Sequence, residues 1–351
     1  MLALLTGLWA GLARLGWDVP LPRPGFSSLH GPLMVSGFLG TLISLERAVA
    51  LGRPWAYAAP LLTGLGGVGL IVGAPLLAAQ LSMLAGSIGL VAIFAAIIRR
   101  HPALYTFTMG GGSLVWALGN LLWCLGWPVF LVVFWWAAFL VVTIAGERLE
   151  LARLQQVTGA AQATFLLLLG ILLTGLLLLG WAFDGGVRLF GLGLAGLALW
   201  LGRHDIARRT VKQAGLTRFI AICLLTGYVW LGISGLSAMW FGGVPVGPQY
   251  DATLHAFFLG FVFAMIFAHA PIIFPAVLGA RMAYRPLFYA HVVLLQVTLV
   301  VRLIGDAAGW SAGRQVGGLL NAVTLLLFLV NTVSALQSPP ERAGTAQGRG
   351  A

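Results

Sequence analysis

The chain reads as an all-α, polytopic membrane protein of about twelve transmembrane helices, and three observations predict this. Hydrophobic residues make up 60% of its 351 residues, charged residues only 8%, and mean hydropathy is +0.98. A soluble domain carries about 25% charged residues. At about 20 apolar residues per span, the length accommodates about twelve spans with short connections.

The apolar segments fall near 2–15, 27–45, 56–74, 77–98, 105–126, 127–146, 161–183, 187–202, 217–240, 252–275, 286–305 and 315–336. They define one transmembrane helical domain over 1–337, followed by a short disordered cytoplasmic tail, 338–351. No charged region precedes the first apolar stretch, which argues against a cleaved signal peptide. The net charge of +11 is not a nucleic-acid signal, since no basic run or stacking motif accompanies it.

Lys and Arg instead report orientation. The connections after spans 2, 4, 6, 8 and 10 and the tail carry two, two, two, five, two and two of them; the opposite side has only Arg14, Arg23, Arg188, Arg302 and Arg314. The positive-inside rule then puts both termini in the cytoplasm, with the chain in the cell's inner membrane. Trp9, Trp17, Trp127, Trp181, Trp240 and Trp310 fall near span ends, as an aromatic belt does. Cys124 and Cys223 lie inside apolar segments without CxxC spacing and read as packing residues.

Span 2 ends in Glu46-Arg47 and span 6 in Glu147-Arg148, four spans apart at the same cytoplasmic edge. The pair suggests a four-helix internal repeat whose third member is span 10, or is simply a common interfacial pair. Glu147, Arg148, Glu150 and Arg153 read as an interfacial charge cluster. Gly110-Gly111-Gly112 in span 5, with no preceding strand and no following Lys, is a helix-packing element rather than a phosphate loop.

Titratable side chains at membrane depth are costly and mark candidate sites. His101 and His204 fall in cytoplasmic loops and are expected to be solvated. The other four histidines sort by depth. His30 opens span 2 and His255 opens span 10, both on the outer side. His269 lies 14 residues along span 10, about 21 Å deeper and near the same helical face. His291 enters span 11 from the cytoplasmic side.

An outer pair, His30 with His255, suits the two axial positions of a haem b iron. Gly31, Gly37, Gly40 and Gly260 would let a flat macrocycle approach. Arg302 is the candidate clamp for a haem propionate, or else a partner of Asp306 one turn away. The inner pair, His269 with His291, suggests a second haem, a copper site, or a proton or quinone site. Each histidine alternatively satisfies a neighbouring carbonyl or hydroxyl. Asp251, four residues before His255, orients that imidazole, sits near an outer proton exit, or caps the helix.

The histidine at the outer start of span 2, followed by Gly31 and Met34, resembles subunit I of the haem–copper oxidases. So does span 10 from Leu254-His255-Ala256-Phe257-Phe258 to Ala264. That resemblance implies a pseudo-threefold bundle and a low-spin haem held by His30 and His255. The chain departs from the family where its second span-10 histidine would be, at Thr253, and spans 6 and 7 contain no histidine for copper. The oxygen-reducing centre is therefore not expected. The chain also resembles the NnrS family of twelve-span haem proteins linked to nitric-oxide metabolism, though Ala268-His269-Ala270-Pro271 stands where that family has Gly-His-Thr-Gly.

The function expected is a membrane b-type haem protein in electron transfer or nitric-oxide-related respiration or tolerance, its partners being quinol or a redox protein. The alternatives are a secondary transporter coupling protons through its histidines and a quinol-oxidising di-haem cytochrome.

Overall fold

The computed structural model describes residues 1–152 and 158–337. Arg153, of the expected charge cluster, and the expected tail 338–351 lie outside the described residues.

The structure is a helical bundle, α1 (Leu2–Arg14), α2 (Phe26–Leu51), α3 (Pro54–Val72), α4 (Leu76–Arg100), α5 (Leu104–Cys124), α6 (Val129–Ala152), α7 (Gly159–Leu178), α8 (Phe183–His204), the short α9 (Ala207–Thr210), α10 (Gly215–Phe241), α11 (Pro248–Leu278), α12 (Phe288–Ala307) and α13 (Ser311–Ser334). Ten of these are long and apolar enough to cross a membrane, so this is a multi-pass membrane protein. Two of the twelve expected spans fall short of that standard. Helix α1 has 13 residues, and α5 is diluted by Thr106, Thr108, Gly110, Gly111, Gly112, Ser113 and Asn120.

Turn chemistry separates the helices. Gly52 ends α2 with φ 63° and donates its N–H to Ala48 and Val49, the left-handed closure that glycine adopts without steric cost. Gly73 does the same after α3 at φ 85°. Consecutive helices then pack as neighbours: α3 on α4, α5 on α6, α8 on α10 and α12 on α13. The centre is α6, with 83% of its most apolar window buried against 28% for α7. The β1 pair Arg281–Met282 with β2 Leu336–Gln337 ties the connection after α11 to the end of α13.

Among the described residues, two helices contain π-helical stretches. Backbone of i→i+5 type runs through Leu33–Gly40 in α2 and Ala256–Val262 in α11. Such π-helical turns are rare and concentrate at functional sites. Here they start within three residues of His30 and directly after His255.

The glycines expected to face a macrocycle are filled by protein. Gly40 packs on Trp116, Gly260 on Trp230, Gly37 on Ala3 and Gly67, and Gly31 on the Val129 side chain. Their small size allows close helix packing instead. The Gly110–Gly112 element does serve packing, through Gly112 against Thr143 and Phe139 of α6.

Candidate functional site

His30 and His255 come together between α2 and α11. Their ring centres are 6.1 Å apart and their planes 23° from parallel. Nδ1 of His30 lies 2.8 Å from the Gly7 carbonyl of α1, and Nδ1 of His255 lies 2.9 Å from the Asp251 carbonyl. A carbonyl only accepts, so each Nδ1 carries the proton and each Nε2 keeps its lone pair. That is the tautomer of a metal-binding histidine, oriented through its other nitrogen. Gly11 gives the Nδ1 edge of His30 room against α1, since a Cβ there would stand 2.8 Å from Nδ1.

Eight residues further along each helix, Phe38 and Phe263 repeat the arrangement, 6.4 Å apart and 18° from parallel. The two helices thus present matched pairs of rings, with Phe38 inside the π-helical segment of α2 and Phe263 directly after that of α11.

Arg302 of α12 completes the site. It binds Asp251 through both Nε and Nη2 at 2.9 Å, and Nη2 lies 3.3 Å from Nε2 of His255. The alternative i,i+4 pairing of Arg302 with Asp306 is not formed. Asp306 has Arg314 Nε at 4.0 Å, and among the described residues no hydrogen-bond donor reaches either of its buried carboxylate oxygens. Nor does Asp251 cap α11: Gly247 holds the N-cap position and Asp251 lies in the first turn, where its carboxylate is 3.2 Å from His255 Nδ1.

The inner histidines do not form a pair; among the described residues no ring contact or hydrogen bond joins them. His269 bonds the Met265 carbonyl of its own helix at 2.7 Å and is faced by the charges of Glu147, Arg148 and Arg47. His291 is ringed by Phe219, Phe267, Phe288 and Phe328. Its Nδ1 accepts from Asn331 Nδ2 at 3.3 Å. The π-helical stretch after His255 also breaks the 3.6-residue phase that put His269 on the same face. His204 is not simply solvated either: it stacks on Trp200, with ring centres 4.7 Å apart.

Sequence reasoning missed the connections of the charged residues at the other end. Arg47 bonds Glu147 and Glu46, so the two Glu-Arg motifs meet directly. Arg148 turns inward to Asp205, Nε at 2.6 Å and Nη2 at 3.0 Å. Asp205 also accepts from Tyr228 Oη and the Ala207 N–H, each at 2.7 Å. The Glu-Arg spacing pointed to equivalence rather than contact, and the expected charge cluster around Glu147 and Arg148 did not extend to Arg47 or Asp205.

His30 and His255 would each offer Nε2 to a haem iron once Arg302 Nη2, 3.3 Å from the His255 Nε2, is moved off it. Among the described residues no group of three His, Cys, Asp or Glu is poised to hold a metal ion. A porphyrin iron asks for only two axial donors. The glycine faces do not contribute to the fit, and Asp251 occupies the guanidinium fork that a propionate would take.

No curated protein and no solved structure matches the chain. A family model covers residues 1–337, nearly the whole length, and on that match the chain belongs to the family described as Domain of unknown function (DUF8744).

Proposed function

We propose that the chain is an integral membrane b-type haem protein in which His30 and His255 ligate one low-spin haem for electron transfer. The observation that carries this reading is the near-parallel imidazole pair at 6.1 Å, with both Nδ1 atoms held by main-chain carbonyls. A haem bound there would supply one-electron chemistry without an open coordination position. The resemblances to oxidase subunit I and the NnrS family support the same reading, with respiratory or nitric-oxide-related electron transfer in the inner membrane as the setting. In it, α1 and α5 join the ten apolar helices as spans, and both termini are cytoplasmic.

The visible spectrum of protein purified from haem-replete cells tests this. A Soret band with sharp α and β bands on reduction is expected, lost in both His30→Ala and His255→Ala. A colourless preparation, or a low-spin spectrum surviving both substitutions, overturns the assignment.

One observation favours a second reading, proton-coupled transport. Arg302 Nη2 occupies the His255 lone pair at 3.3 Å, next to two acids, the part-buried Asp251 and the buried Asp306. A colourless protein whose reconstituted vesicles acidify only on addition of a solute would favour that reading over the haem.

A further inference from the structure

The connection between α8 and α10 carries five cations within sixteen residues: Arg203, Arg208, Arg209, Lys212 and Arg218. All five are exposed, and among the described residues none has an ion-pair partner. The single acid in the segment, Asp205, cannot neutralise them. It is 2% exposed and already takes four hydrogen bonds, from Arg148 twice, Tyr228 and the Ala207 N–H.

The same four bonds give the cations a fixed frame. Asp205 anchors the start of α9, whose residues 208 and 209 are arginines, and Arg208 Nη1 reaches back to the Arg203 carbonyl at 3.0 Å. The ordering cost of a basic loop is thereby met in the folded protein rather than on binding.

Above this platform runs an apolar stripe. Leu192 and Leu199 are 42% and 77% exposed on α8. With Arg203 they fall at positions i, i+7 and i+11, which share one face at 3.6 residues per turn. An outward leucine track ending on a cluster of cations matches a molecule with an acyl chain and an anionic head. A free anion would use only the cations, and an acidic soluble protein would not use the leucines.

We infer that this platform binds an anionic phospholipid, its phosphodiester on Arg203, Arg208, Arg209 and Lys212 and an acyl chain along Leu199 and Leu192. Basic clusters at the end of a membrane helix attract anionic headgroups at short range. The other basic connections carry only two cations each, which suffices for orientation.

The test uses the full chain in nanodiscs of phosphatidylcholine, with or without phosphatidylglycerol. Two quantities are read: the melting temperature, and the number of phosphatidylglycerol molecules retained in native mass spectra. Expected are retained phosphatidylglycerol and a higher Tm for the wild type. Both effects should be lost in the variant Arg203→Gln, Arg208→Gln, Arg209→Gln, Lys212→Gln and kept in Arg99→Gln, Arg100→Gln. An unchanged Tm in pure phosphatidylcholine shows that the first variant folds. Should it fail to fold, the wild type alone decides: high salt should release the lipid, because screening shortens the reach of the cations. Equal retention in both variants overturns the inference, as does lipid that salt does not release. So does inorganic phosphate raising Tm as much as the lipid.

Discussion

Arg302 grips Asp251 with two nitrogens at 2.9 Å and touches His255 with one of them, so a single guanidinium fixes the acid and the imidazole of α11 together. The Arg302 side chain is 7% exposed and that of Asp251 21%. Removing one partner of such a buried pair leaves the other uncompensated, at a cost of about 3–5 kcal/mol. Arg302→Met is therefore expected to lower thermal stability sharply, and Arg302→Met with Asp251→Asn to recover most of it. Melting curves of both variants in one detergent check this. A single variant as stable as wild type would show that the pair contributes nothing.

At the opposite end Asp205 serves several donors at once, which predicts an order of effects. Asp205→Ala leaves the Arg148 guanidinium, 4% exposed, without its carboxylate and should cost about 3–5 kcal/mol. Tyr228→Phe removes one of the four hydrogen bonds and should cost about 1 kcal/mol. The measurement is again Tm, and the reverse ranking would contradict the network.

The helical layout was legible because apolar segments of span length leave little choice of structure in a bilayer. That His30 and His255 meet was legible too, since each opens an apolar run on the side poor in Lys and Arg. What the chain could not disclose was lateral direction. Arg302 has Asp306 at i+4 and Asp251 in another helix, and only packing chooses Asp251. His269 and His291 were paired by sequence position but face different surroundings, one a charge group and the other four phenylalanines. The π-helical turn between His255 and His269, which shifts their relative direction, leaves no periodic signature in residue type.

That turn makes a prediction of its own. Deleting Phe258 from Ala256–Val262 removes the extra residue that an i→i+5 segment accommodates, so α11 should revert to regular helix with little net rotation of His255 relative to the helix below it. His255 would then still face His30. On the proposed haem reading, the variant keeps the low-spin spectrum that His255→Ala loses. A spectrum lost as in His255→Ala would show that the π-helical segment itself is needed to orient the histidine.

The glycine triplet of α5 separates packing from backbone entropy within three residues. A Cβ on Gly112 would stand 2.6 Å from Thr143 Oγ1 and 3.2 Å from the Phe139 carbonyl, whereas one on Gly111 meets nothing within 4 Å. Gly112→Ala forces α5 from α6 and should cost about 1–3 kcal/mol, as overpacking does. Gly111→Ala points into open space and should gain about 0.5–1 kcal/mol from the helical preference of alanine. Opposite shifts in Tm from adjacent positions are the expected result. Equal shifts would mean that α5 and α6 do not approach through Gly112.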